Sequence, residues 1–215
     1  MAGSRAVRPF PSKTRCDTLI NLMLKPLLLA AVLGGIVMFM WEGISHEVLP
    51  LGQAGVSPLN NEAAIVATLK ENVKQPGFYI FPGGEMLNSG LSGDQKKAAM
   101  QRATDLWRAG PSGIMVVHPE GLDIESPRTL ITQCVLDILV TLIAAFLLSK
   151  ASAGASYGAR VLFVALIGLV PTLSAELPYW NWYGFPTNYI LAAGLMHLIG
   201  FGLAGLVVAR FVKTP

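Results

Sequence analysis

Four long apolar runs, almost free of charge, constrain this chain more than anything else in it. They cover residues 26–41, 130–148, 161–175 and 189–209. A bilayer core of about 30 Å asks for about 20 helical residues. The second and fourth runs meet that length, and the first and third reach it by borrowing neighbours. A segment in hydrocarbon must pair its own backbone groups, so each run is predicted to be a helix. Only 13% of the residues are charged, about half the usual share of a soluble domain. The expected fold is therefore mainly α, a four-transmembrane-helix bundle with a small α+β extracytoplasmic segment between helices 1 and 2. A nucleic-acid partner is not expected despite a pI near 9.0, because the charges are few and fall in clusters separated by long uncharged runs.

Charge asymmetry predicts the orientation. The leading segment, residues 1–25, carries Arg5, Arg8, Lys13, Arg15 and Lys25 against Asp17; the 149–160 loop carries Lys150 and Arg160; the 210–215 tail carries Arg210 and Lys213. Residues 42–129 hold ten acidic and seven basic residues, and the aromatic outer loop 176–188 holds only Glu176. Basic flanks stay in the cytoplasm, which predicts both termini inside and residues 42–129 outside. Trp41, Tyr179, Trp180, Trp182, Tyr183 and Tyr189 fall at run edges, where interfacial anchors belong. The first run reads as an uncleaved signal anchor, since its leader is long and no small-residue cleavage site follows. Cys16 and Cys134 fall at different depths, too far apart to bridge.

The outer segment has its own punctuation. Asn60 is placed to cap a helix reaching Val73, with Ala63, Ile65, Val66, Ala67 and Leu69 as its apolar face. Gly77–Phe81 and Gly113–Val117 read as short strands. Between them Ser92 stands three residues before Gln95, a capping-box spacing, and the helix should run to Ala109, closed by Gly110 and Pro111. A strand–helix–strand unit predicts parallel pairing. So thin a core should rest on the membrane helices or on a partner.

The stretches WEGISHEVLP (41–50), PGFYIFPG (76–83) and YWNWYGFP (179–186) resemble a family of bacterial four-span inner-membrane proteins of unknown function. The likeness covers most of the chain, from the first run to the fourth. It implies a multi-pass protein of the bacterial inner membrane and carries no activity with it. A claudin-like layout is similar in outline only, because the outer segment lacks the cysteine pair.

Two polar residues stand out inside the runs. Asp137 lies about 10 Å below the outer edge of the second run at 1.5 Å per residue, and an intramembrane carboxylate should face protein or water. Gln133, Cys134, Asp137, Thr141, Ala144 and Ala145 recur at helical spacing as a polar-to-small stripe. His197 sits at a similar depth in the fourth run, flanked by Ala193, Gly194, Gly200 and Ala204, small residues that permit close helix approach. An Asp137–His197 hydrogen bond is expected, as an interhelical lock or, less favoured, as a proton site. Haem is disfavoured because only one histidine lies within a run. Pro171 should kink the third run, with Thr172 and Ser174 serving the freed carbonyls.

Catalytic and phosphate-binding motifs are absent. Glu42, His46, His118 and Glu120 are an imaginable metal set, but without tight ligand spacing no metal and no cofactor are expected. The leading expectation is a non-enzymatic structural or accessory membrane protein. It would be a subunit or self-associating module, joined through small-residue helix faces and an outer partner surface. The alternatives are a small proton-linked transporter component using Asp137 and His197, and a membrane metalloenzyme near His46 and His118.

Overall fold

The computed structural model describes residues 13–151 and 154–213, with side chains from Leu24 onward. Most of the basic leader, the Cys16 side chain, part of the 149–160 loop and the end of the tail therefore lie outside the described residues. The elements run α1 (Lys13–Gly43), a π turn (Ile44–Val48), α2 (Glu62–Asn72), β1 (Gly77–Phe81), a 3-10 turn (Gly84–Leu87), α3 (Gly93–Ala109) and β2 (Gly113–Val117). After these come α4 (Pro127–Ser149), α5 (Tyr157–Ile167), α6 (Leu169–Pro171), a second π turn (Thr172–Glu176), α7 (Leu177–Tyr183) and α8 (Thr187–Phe211).

Four helical stretches are long and apolar enough to cross a membrane: Leu24–Val48, Pro127–Ser149, Tyr157–Tyr183 and Thr187–Phe211. All four extend past the expected bounds, the first and third by the most. α1 begins at Lys13 and takes in Pro26. The third continues past Ala175 through the π turn into α7, so Tyr179, Trp180, Trp182 and Tyr183 are helical rather than part of an outer loop. Pro171 has no N–H to return to the preceding turn. The chain answers with the π turn, and the Ser174 hydroxyl donates to the Val170 carbonyl at 2.6 Å.

The chain divides into two compact units, one carrying the apolar helices and one made of residues 56–125 with 179–185. In the helical unit α1 packs on α4 and α8, and α8 packs in turn on α5. Ala30, Ala144, Ala145, Leu148, Val164, Phe201 and Val208 form its core. Glycines set how close the helices come. A Cβ on Gly35 would lie 2.6 Å from the Ile138 Cα, and one on Gly168 would lie 2.7 Å from the His197 carbonyl oxygen. Contacts this short between backbones are possible only without side chains.

In the smaller unit β1 and β2 pair antiparallel, Gly77 opposite Val117 and Phe81 opposite Gly113, which corrects the parallel expectation. The reason lies in residues 82–92, which first run back along α3. The Trp107 indole donates to the Pro82 carbonyl at 2.9 Å, a Cβ on Gly83 would meet Ala103 at 2.6 Å, and Arg102 pairs with Glu85 at 2.8 Å. The connection thus goes out and returns, and β2 starts where β1 ended. α3 has its full capping box: the Gln95 N–H meets the Ser92 hydroxyl, and the Ser92 N–H donates to Gln95 Oε1 at 2.9 Å. α2 departs from expectation. Its cap is Asn61 in the left-handed region (φ 52°), with no side-chain cap bond, and the helix buries no residue. Its Ala63, Val66 and Ala67 face is exposed.

Candidate functional site

The polar residues of the helical unit collect where α1, α4 and α8 meet. α4 buries a single face, Asp137, Thr141, Ala144, Ala145 and Leu148, which takes in the deeper part of the polar-to-small stripe. Gln133 and Cys134, one turn above, are half-buried. Asp137 is 4% exposed and Thr141 is 1% exposed. Both face α1 because its Gly34-Gly35 pair leaves room: a Cβ on Gly34 would touch the Thr141 methyl at 2.7 Å, and Gly35 abuts Ile138.

Gln133 organises this face. Its side-chain nitrogen donates to Glu42 Oε2 at 2.9 Å and to Asp137 Oδ1 at 3.1 Å. One amide thus bridges a carboxylate from α1 and one from α4. Asp137 Oδ2 and Thr141 Oγ1 are buried without a hydrogen-bond partner. No lysine or arginine pairs with either carboxylate among the described residues. The two ion pairs found there, Arg102–Glu85 and Arg108–Asp105, both belong to the smaller unit.

Above the bridge a cavity of about 540 Å³ is lined by Trp41, Glu42, Ser45, His46, Gln133 and His197, among others. The Trp41 indole donates to the Met196 carbonyl at 3.0 Å. Gly200 lets that ring approach, since a Cβ there would lie 3.1 Å from Trp41 Cδ1. The π turn shapes the rim. Ser45 is fully buried and its hydroxyl donates to the Glu42 carbonyl at 2.8 Å, while His46 Nδ1 lies 2.9 Å from that same oxygen.

The expected Asp137–His197 hydrogen bond is not formed. His197 Nδ1 lies 3.3 Å from the Thr172 hydroxyl in the second π turn, and Asp137 is engaged by Gln133. Depth along two helices is readable from residue counts, but rotation about their axes is not, and here the two side chains turn toward different neighbours. In the sequence Glu42 stands out only as one member of an imaginable metal set. Its i, i+4 relation to His46 concealed that it faces Gln133. Gly34-Gly35 in an otherwise bulky run was the available signal for the α1–α4 contact.

No group of three or more His, Cys, Asp or Glu side chains gathered to hold a metal occurs among the described residues. His46 belongs to the helical unit, whereas His118 and Glu120 belong to the smaller one.

The smaller unit has a different character. Its buried apolar residues are Val73, Ala99 and Ala103, while Phe78 is 63% and Val116 67% exposed. These last two stand directly opposite each other across the ribbon. No protein-family model, curated protein or solved structure matches the chain.

Proposed function

We propose that this protein is a multi-pass accessory or structural subunit of a membrane complex, which joins its partner through the segment between the first and second apolar helices. One observation carries the reading: a unit of this size fully buries only a valine and two alanines, half-buries side chains such as Ile80, Trp107 and Met115, and leaves an apolar cross-strand pair uncovered. Small domains are marginal even with a proper core, and contiguous exposed apolar surface marks interaction sites. The four apolar helices support a multi-pass membrane protein. The charge asymmetry and the resemblance of the sequence support a bacterial inner membrane, with both termini in the cytoplasm.

Extraction from native membranes in mild detergent should yield the protein with a stoichiometric partner. The double substitution Phe78→Asp, Val116→Asp should lose that partner while the helical unit keeps its thermal transition. A clean monomer from wild-type membranes would sink the proposal. Orientation is tested separately: protease added to right-side-out spheroplasts should cut within residues 42–129 and spare both termini. Protection of that segment in spheroplasts, with cleavage in inverted vesicles, would reverse the topology.

A further inference from the structure

We propose that Glu42 and Asp137, bridged by Gln133, form a proton-binding pair that takes up one proton from the cavity above it. The idea does not depend on the partner reading.

The bridge brings two carboxylates within hydrogen-bond reach of a single amide nitrogen. Two like charges so close cannot both be held without a counter-charge in surroundings of low dielectric. No lysine or arginine supplies that counter-charge among the described residues. The titratable groups around the pair are Glu42, His46 and Glu47 from α1 and its π turn and His197 from α8, all at the cavity, with Cys134 on α4 itself. His46 Nδ1 is engaged by the Glu42 main-chain carbonyl, and His197 Nδ1 is beside Thr172. Neither histidine hydrogen-bonds to either carboxylate through these atoms.

A second and separate observation is an unpaired acceptor next to the bridge. Asp137 Oδ2 and, one helical turn deeper on the same face, Thr141 Oγ1 are the buried oxygens of α4 that lack any partner. A buried acceptor left unpaired is costly. Uptake of a proton at Oδ2 turns that acceptor into a hydroxyl donor and removes one negative charge. Oδ1 goes on accepting from Gln133, so the bridge survives. Glu42, half-buried at the cavity wall, is the member of the pair that solvent reaches first. Gln133 keeps the two acids close while it pairs one oxygen of each.

The test is infrared spectroscopy of the full chain in proteoliposomes at neutral pH. A carboxylic-acid C=O band should be present, and labelling with isotope-substituted aspartate should move it while labelled glutamate should not. Asp137→Asn should abolish it, and Glu42→Gln should weaken it at neutral pH, since Asp137 stays buried but loses its like-charged neighbour. Glu176→Gln, which alters the acid of the third apolar helix, should leave it unchanged. Absence of the band in wild-type protein overturns the proposal without any variant having to fold. A band that survives Asp137→Asn, or that vanishes with Glu176→Gln, overturns it as well.

Discussion

Gly35→Val is expected to unfold the helical unit or to lower its stability in detergent by about 3 kcal/mol or more, at the upper end of overpacking costs. The obstacle is backbone. A Cβ at residue 35 would lie 2.6 Å from the Ile138 Cα and 2.7 Å from its amide nitrogen, and no rotamer change at residue 138 can move those atoms. α1 and α4 would have to separate, which would also pull Glu42 away from Gln133. The neighbouring position gives an internal comparison. Gly34→Ala meets the Thr141 methyl, a side-chain atom that can turn aside, so its cost should be about 1 kcal/mol. Thermal unfolding of both variants, followed by circular dichroism, checks the order. If Gly35→Val melts with the wild type, α1 and α4 do not pack in this register.

Gln133→Leu should cost about 2–4 kcal/mol, out of proportion to the size of the side chain lost. The hydrogen bonds themselves are worth about 1 kcal/mol each. The larger part is what stays behind: Asp137, 4% exposed and with Oδ2 already unpartnered, would have neither oxygen paired. A buried polar group deprived of its donor pays its full desolvation penalty, whereas replacing both partners by apolar groups can be nearly neutral. The double variant Gln133→Leu, Asp137→Leu should therefore recover most of the loss, and the cycle of single and double substitutions should give a coupling of about 1–3 kcal/mol. Additive losses would mean that the bridge contributes little to holding α1 and α4 together.

The two strands, expected to be parallel and found antiparallel, show what local sequence signals leave open. Ser92, Gln95, Ala109 and Gly110 marked the limits of α3 because capping is local: it depends on residues three or four apart. Whether β2 returned beside β1 in the same sense depended on residues 82–92, whose course is set by Trp107 reaching Pro82 and by Arg102 reaching Glu85. α2 shows the opposite failure. Ala63, Val66 and Ala67 have helical spacing, and a helix forms, but that face stays exposed. Periodicity describes a face and does not supply a neighbour.

The chain by itself determined its helices, because runs of apolar residues can satisfy their backbone only by coiling, and that rule needs no information from elsewhere in the molecule. It also placed Asp137 and His197 along their helices, since each residue advances a helix by a constant rise. Tertiary structure alone decided that Gln133 joins Asp137 to Glu42 and that His197 turns to Thr172. Those partners depend on how each helix is rotated and how near it comes. In this protein rotation and approach are set by contacts between glycines on one helix and the backbone of the next, at Gly35 with Ile138 and at Gly168 with His197.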